Sequence, residues 1–209
     1  MKERPILFSG PMVRAILEGR KTQTRRIAKD RDGITVHPNG QVLARGGWLP
    51  ELCCPYGKPG DRLWVKETFQ MHTTLAGIRV TYREGNADAW IEPPETWEGI
   101  PDDNHWRPSL FMPRWASRIT LEIESVRVER LQEISEEDAI AEGIIAPRCE
   151  LCGYTFADAR FQMDHRLCKA PEPHSATLAY RELWESINGP GSWDANPWVW
   201  VIQFRRITP

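Results

Sequence analysis

Three cysteines and a histidine in the second half of the chain have the spacing of a zinc site. Cys149 and Cys152 form a C-x2-C pair, and after twelve intervening residues His165 and Cys168 form an H-x2-C pair. Thiolate and imidazole ligands in two close pairs suit tetrahedral zinc, and four protein ligands leave no open position for catalysis. The spacing therefore predicts a structural zinc ion. His174 is an alternative ligand to His165, and the competing interpretation is a set of reduced cysteines beside an unrelated histidine.

The remaining two cysteines do not belong to this motif. Cys53 and Cys54 have no metal-like partner nearby in the sequence and are expected to be structural. Five cysteines in total, an odd number, fit a reducing, cytoplasmic compartment better than a disulfide framework. Asp164-His165 after a C-x2-C pair is also similar to the start of an HNH nuclease, with the histidine as catalytic base. That match is short, because no asparagine follows until Asn188.

Basic residues concentrate near the amino terminus. Residues 1–30 hold eight Lys or Arg against three Asp or Glu, and the run Gly19–Arg26 (GRKTQTRR) is the densest part. Taken alone, the run is a solvated helix end whose cations favour the C-terminal dipole. The same cations could instead hold a phosphate or a base edge. Residues 84–103 hold seven acids and no base, so the net charge of −2 is a cancellation between segments.

Length and composition exclude several classes of protein. The 209 residues fit one domain, and 41% hydrophobic residues suffice for a packed core. No apolar run approaches the roughly 20 residues of a membrane span, and the start of the chain has no secretory apolar region. Ten Trp are unusually many and indicate aromatic packing or stacking surfaces.

The local patterns predict short strands separated by two or three helices. The predicted strands are residues 5–8, 34–36, 41–43, 62–69, 118–128 and 198–204. Helices are predicted after Ser9, Ser135 and Ser175, each ending near a glycine. A change in the phase of apolar alternation near Ser125 predicts a β-bulge.

These elements predict an α+β fold. No βα unit repeats at constant length, which argues against Rossmann and TIM folds. A single domain over 1–209, built on a small mixed β-barrel, fits better. Two segments are expected to be insertions: residues 84–113, an acidic loop rich in Pro and Trp, and residues 145–174, which contain the zinc motif.

The chain resembles the ASCH domain superfamily. The segments that carry the resemblance are Pro5–Gly10 (PILFSG), the run Gly19–Arg26 and Lys58–Val65 (KPGDRLWV), with the closing strand 198–204. The resemblance covers roughly 4–30, 58–69, 115–144 and 176–206, and both insertions lie outside it. It implies a PUA-like β-barrel that recognises RNA or a nucleoside. Larger proteins of this kind are similar to ones found in phage and prophage.

The resemblance also implies a catalytic set. Small N(4)-acetylcytidine amidohydrolases of the superfamily use a Lys, a Thr three residues later and a distant Glu. Lys21 and Thr24 match in motif and spacing, and Glu142 occupies the matching glutamate position, with Glu137 and Glu133 as alternatives. Thr24 would be the nucleophile, Lys21 its base, and Glu142 the group that protonates the leaving amine or positions water. Because residues three apart face opposite sides of a regular strand, the chain must turn between Lys21 and Thr24.

Several functions remain open at this level. The residues expected to bind substrate are Arg20, Arg25, Arg26, Phe8, Ser9 and Trp64, with Trp115 as another stacking candidate. The three Trp of the acidic segment, Trp90, Trp97 and Trp106, cover the site as a lid or anchor the loop. The favoured function is a hydrolase, either an amidohydrolase acting on an N-acylated cytosine or a ribonuclease. The alternatives are a non-enzymatic reader of RNA and a phage-type structural protein that binds a partner through the insertions.

Overall fold

The computed structural model has an α+β fold and describes residues 1–29, 33–36, 42–44, 53–74, 77–86, 88–91, 105–145 and 175–207. The strands are β1 (Glu3–Leu7), β2 (Gln23–Ile27), β3 (Thr35–Val36), β4 (Val42–Leu43), β5 (Arg62–Lys66), β6 (Phe69–Thr74), β7 (Gly77–Tyr82), β8 (Asp88–Ile91), β9 (Thr120–Arg130) and β10 (Trp198–Ile207). The α-helices are α1 (Gly10–Leu17), α2 (Glu136–Ala141) and α3 (Ala176–Asn188).

A mixed five-stranded sheet in the order β1-β5-β9-β10-β2 forms the centre of the fold. Strands β1 and β5 are parallel, and the other neighbours in this sheet are antiparallel. The predicted strands at 34–36 and 41–43 are present as β3 and β4, which pair antiparallel. The three predicted helices and the central strands β1, β5, β9 and β10 are confirmed, whereas β2 was not predicted. Each helix starts directly after the serine that the sequence indicates, and Ser135 and Ser175 accept backbone hydrogen bonds at their helix starts.

The two longest strands, β9 and β10, carry the predicted bulge. Their register shifts where Ser125 pairs with Gln203 and Ile123 pairs with Phe204, so that Glu124 is the extra residue. Apolar side chains before and after the bulge are therefore all buried. The extra residue keeps one face of a long, twisted strand directed at the core.

Each face of the sheet packs against helices. Strand β10 supplies Trp200, Ile202 and Phe204 to a cluster that also contains apolar residues of α1 and β5. Its alternate residues, Val199 and Val201, pack instead against α2 and α3. Cys54 lies in the first cluster with Cys53 packed against it, which confirms that this pair is structural.

The two outer strands of the sheet approach each other. Strands β1 and β2 are the sheet's edges, yet the Arg26 guanidinium of β2 donates a hydrogen bond to the Leu7 carbonyl of β1 at 2.9 Å. Just beyond β1, the rings of Phe8 and Phe204 are 6.1 Å apart. The sheet is therefore strongly curled, and a seam remains between its edges. The predicted helix α1 follows β1 at this seam.

Strands β6, β7 and β8 form a second, antiparallel sheet that the sequence analysis missed. Arg118 joins it to the central sheet through a two-pronged ion pair with Glu67, at 2.9 and 2.8 Å, and lies 4.2 Å from the Tyr82 ring centroid. Within the segment predicted as a loop from residue 84 onward, Glu84–Asn86 form a 3-10 turn and Asp88–Ile91 form strand β8. Apolar and polar residues alternate along β6 and β7, and this alternation was a signal from which both strands could have been predicted.

Some predictions fall outside the described residues. These include the four predicted zinc ligands Cys149, Cys152, His165 and Cys168, the alternative ligand His174, and Trp97. Among the described residues, no group of three metal-ligating side chains is arranged to hold a metal ion. None of the helices in these ranges is long and apolar enough to cross a bilayer.

Candidate functional site

Lys21 is buried at the point where the chain passes from α1 to β2. Gly19, with φ +76°, turns the chain, and the Lys21 N–H donates to the Ala15 carbonyl at 3.1 Å. The Lys21 Nζ donates to the Gln23 carbonyl at 2.7 Å and to both the carbonyl and the Oε2 of Glu142 at 2.8 Å. Three acceptors therefore match the three protons of the ammonium group, as burial of a cation requires.

Glu142 reaches Lys21 from the C-terminal end of α2, where it is the C-cap residue. The helix stops because Gly143 follows with φ +92°, a conformation that other residues adopt only with strain. A Cβ atom on Gly143 would lie 3.1 Å from the Lys21 Cβ and 3.0 Å from the Ala15 Cβ. Glycine at this position therefore lets the helix end close enough for the ion pair to form.

Arg25 holds the other side of the Glu142 carboxylate and links it to two further acids. Its guanidinium donates to Glu142 Oε1 at 3.2 Å, to Glu129 at 2.5 Å and to Asp138 at 2.7 Å. The Arg25 side chain has no exposed surface. Arg127, which is more exposed, pairs with Glu129 at 2.9 Å and with Asp138 at 2.7 Å. This alternation of cations and anions fixes the orientation of Glu142.

Thr24 lines the same pocket as Lys21 and Glu142, with its hydroxyl held by Arg26. The Arg26 guanidinium donates to the Thr24 Oγ1 at 2.9 Å, and the Thr24 side chain is buried. An oxygen that accepts this bond keeps its own proton free to donate elsewhere. A neighbouring cation also favours the deprotonated form of a hydroxyl.

The position of Lys21 outside the strand explains how it shares a site with Thr24. Alternation along β2 places Thr24 and Arg26 on one face and Arg25 on the other. Lys21 lies two residues before β2 begins, so this alternation does not restrict it. The turn lies at Gly19, before Lys21, and residues 21–22 are irregular coil that leads into the strand.

These groups line one pocket of about 290 Å³ at the seam between β1 and β2. Its polar residues are Ser9, Lys21, Thr24, Arg25, Arg26, Glu142 and Asn188. Its remaining wall is formed by Leu7, Phe8, Met12, Ile27, Tyr180, Leu183, Trp184 and Ile187. The Phe8 ring centroid lies 5.5 Å from the Lys21 Nζ and 5.2 Å from the Arg26 guanidinium, so its face supports both cations.

Burial changes the acid–base properties of the site. Desolvation lowers the pKa of Lys21 below its usual value of 10.5, opposed by the Glu142 carboxylate and reinforced by Arg26 and Arg25. Burial also raises the pKa of the Tyr180 phenol well above 10.0, with the Glu142 charge acting in the same direction. Lys21 is thus the group whose proton is held less tightly than in water, as a general base requires.

Two predicted binding residues lie outside the pocket. Arg20 pairs with the Glu18 carboxylate and donates to the Gly143 carbonyl at 3.0 Å, so it supports the turn instead of facing a ligand. Trp64 cannot reach the pocket because its neighbours on β5 fill the core, which directs its ring to the opposite face beside Lys66. Arg20 and Trp64, both predicted to bind substrate, therefore do not line this pocket.

The two substitute glutamates and the second stacking candidate also lie away from the pocket. Glu137 and Glu133 are exposed, and the Glu133 carboxylate accepts from the Arg130 N–H at 2.8 Å. Trp115 packs against the core of the three-stranded sheet. Of the acidic insertion, none of the described side chains at 84, 88 and 105–113, including Trp106, lines the pocket. The side chains of Trp90 and Trp97 lie outside the described residues.

Sequence reasoning missed the contribution of α3 and of the acids around Arg25. The α3 residues in the pocket wall are Tyr180, Leu183, Trp184 and Ile187. Their helical spacing predicts a buried face, but it does not reveal that one end of this face is left open as a pocket wall. Glu129 lies on β9 on the same face as Arg127 and opposite the buried Val126 and Val128, so the strand alternation gave no signal of its contact with Arg25.

Comparison with known proteins gives no relative on which to rely. No family model matches the chain, and neither a curated protein nor a solved structure matches it. The chemistry of the site must therefore be argued from its own residues.

Proposed function

We propose that this protein is an ASCH-type hydrolase with a PUA-like barrel, which cleaves the amide bond of an N-acylated cytosine nucleoside. Lys21, Thr24 and Glu142 carry the reaction. The curled sheet, with β1 and β2 facing each other across a seam, supports the barrel assignment. The motif resemblance described above supports the substrate class.

One observation carries the proposal: the three side chains that the resemblance selects line a single pocket. Lys21 and Glu142 come from elements separated by 121 residues in the chain and form a buried ion pair at 2.8 Å. A structural role would be satisfied by the ion pair alone. A hydroxyl that lines the same pocket and is polarised by Arg26 is the additional feature that acyl transfer requires.

The proposed reaction runs through an acyl-enzyme. The Thr24 oxygen attacks the amide carbonyl carbon while neutral Lys21 accepts the hydroxyl proton, and that proton passes to the departing exocyclic amine. Cleavage of the C–N bond releases the free cytosine nucleoside and leaves the acyl group as an ester on Thr24. Water then attacks the ester, which releases the carboxylic acid and restores the hydroxyl. Glu142 holds Lys21 in place, and it relays this proton from Lys21 to the amine or positions the water.

The size of the pocket favours a small substrate over a polymer. About 290 Å³ lies at the lower end of the roughly 300–1,000 Å³ typical of small-molecule sites. A ribonuclease needs in addition an extended groove for the backbone on either side of the scissile bond. We therefore place amide hydrolysis ahead of RNA cleavage.

Incubation of the purified protein with N(4)-acetylcytidine tests this function. We expect release of cytidine and acetate by the wild type, retained activity in Thr24→Ser, and loss of at least about a hundredfold in Thr24→Val. Thr120→Val on β9, outside the pocket, is the matched control. Full release by Thr24→Val would contradict the nucleophile, and no release by the wild type would contradict the activity.

A non-enzymatic reader of modified nucleic acid is the second candidate. It is favoured by the complete set of acceptors around the Lys21 ammonium, which is also the arrangement of a fixed charge. A reader would bind RNA with an affinity that falls steeply with salt and with loss of Arg26. Binding that is indifferent to both excludes it.

We further propose a structural zinc ion held by Cys149, Cys152, His165 and Cys168, on the strength of their paired spacing. The metal would stabilise a segment with few apolar residues of its own and could present it to a protein partner. A reducing, cytoplasmic setting agrees with the odd number of cysteines in the chain.

A further inference from the structure

The rim of the pocket is apolar and exposed. Leu7, at the end of β1, is 45% exposed, Ile27, at the end of β2, is 41% exposed, and Ile187, in the last turn of α3, is 64% exposed. These three side chains come from three different elements that end at the same pocket. Exposed aliphatic side chains are ordinary when scattered, but a group of them around one cavity marks a surface that binds an apolar partner.

Further apolar residues line the pocket together with the catalytic groups. Leu183 and Trp184 of α3 and Met12 of α1 also line the pocket. The charged groups Lys21 and Glu142 belong to the same lining, and Arg25, which binds Glu142, lies 6.0 Å from the ring of Tyr180 on α3. The pocket therefore combines a charged part, where chemistry occurs, with an apolar part that α3 supplies and that includes the exposed Ile187.

The two halves of an N-acylated nucleoside differ in the surface they need. With the scissile carbonyl at Thr24, the nucleoside extends in one direction and the acyl group in the other. The ribose hydroxyls would lose hydrogen bonds to water against aliphatic side chains, which disfavours that orientation. A hydrocarbon chain gains free energy from each methylene that leaves water. The apolar part of the pocket thus suits the acyl group.

We propose that the preferred substrate carries an apolar acyl chain of about four to six carbons instead of acetyl, bound along Leu183 and Ile187 toward the rim. This inference rests on the proposed function, since it assigns the acyl half of that substrate. An acetyl group would end beside Thr24 and leave the apolar part of the pocket in contact with water.

A chain-length series tests the inference. The kcat/KM values of N(4)-acetyl-, N(4)-butanoyl- and N(4)-hexanoylcytidine are compared for the wild type, Ile187→Asn and Leu178→Asn. Leu178 lies on the same helix, is 39% exposed and is absent from the pocket wall, so it is the matched control. We expect kcat/KM to be about tenfold higher for the hexanoyl than for the acetyl compound, both in the wild type and in Leu178→Asn. Full burial of a methylene would raise kcat/KM roughly fourfold, and the four additional methylenes of hexanoyl are only partly buried. In Ile187→Asn the ratio should fall to about threefold or less.

Binding of N(4)-methylcytidine and N(4)-hexylcytidine, measured by calorimetry, separates this inference from the proposed function. Tighter binding of the hexyl compound, lost in Ile187→Asn, supports the apolar subsite even if no acylcytidine is hydrolysed, in which case only the amidohydrolase proposal fails. Hydrolysis that favours acetyl, with equal ratios in all three proteins, overturns the inference and leaves the hydrolase standing. Failure of both hydrolysis and binding overturns both.

Discussion

Replacement of Arg25 by methionine removes the guanidinium that joins Glu142 to Glu129 and Asp138. Methionine keeps most of the length and apolar volume of the side chain, so the change isolates the charge. Loss of one partner from a buried ion pair costs about 3–5 kcal/mol, because a charge then stays buried without compensation. Here each carboxylate keeps one other cation, Lys21 or Arg127. We therefore expect a loss near the lower limit, about 3 kcal/mol in the free energy of unfolding.

The size of this loss should depend on pH in a defined direction. The hydrogen bond and charge of Arg25 hold the pKa of Asp138 below its usual 3.8 against the opposing effect of burial. A carboxyl whose pKa is lower in the folded state contributes stability that is complete above its unfolded pKa and disappears as pH falls through its folded pKa. The difference between wild type and Arg25→Met should therefore be largest near neutral pH and shrink at pH values below about 3.8.

Urea denaturation followed by Trp fluorescence measures both effects. Arg205→Met is the matched control, because Arg205 pairs with Glu122 on an exposed surface, where an ion pair contributes about 0–1 kcal/mol. Equal destabilisation by the two substitutions at neutral pH would refute the argument that Arg25 organises the site. A loss for Arg25→Met that does not change with pH would show that packing, and not charge, is responsible.

Three further predictions concern individual positions. In thermal denaturation, Gly143→Ala should lower the free energy of unfolding by about 1–2 kcal/mol more than Gly19→Ala does. Both substitutions place alanine at a positive φ, but only the new Cβ at position 143 meets neighbouring Cβ atoms. Equal losses would contradict this close approach. If Lys21 acts as the neutral base, kcat/KM of the wild type should rise with pH, with an apparent pKa below 10.5. This rise should be absent in Lys21→Arg, and an apparent pKa of 10.5 or above in the wild type argues against Lys21 as the base. Metal analysis should find about one zinc per chain, reduced in Cys149→Ser; well under one zinc in the wild type rules out the site.

The elements of the fold were largely predictable because their signals are local. Serine caps, terminating glycines and the phase change at Ser125 each report on a few neighbouring residues, and each matches the structure. The second sheet was missed because residues 62–69 form one apolar alternation, while the chain actually leaves the central sheet at Lys66 and starts β6 at Phe69. A break between two sheets depends on tertiary packing, which a single period does not encode.

Only the site residues that belong to a recognisable motif could be predicted from the sequence. Lys21, Thr24 and Glu142 were selected by resemblance, and their shared pocket agrees with that choice. Arg20 and Arg25 are equally basic neighbours in sequence, yet one supports a turn and the other is fully buried among carboxylates. Arg20 precedes β2 whereas Arg25 lies within it, and this difference decides between the two roles. The start of β2 is set by its pairing with β10, which is distant in the chain.

Because the pocket lies at the seam between the edge strands β1 and β2, it is intact only while these two strands stay together. Strand β1 is held on one side by β5 and on the other by little more than the bond from Arg26 to Leu7. Edge strands of this kind open first in native-state fluctuations. Each such opening would remove the wall that Leu7 and Phe8 provide and free Arg26 from its backbone acceptor. The pocket is therefore complete only while β1 stays docked beside β2.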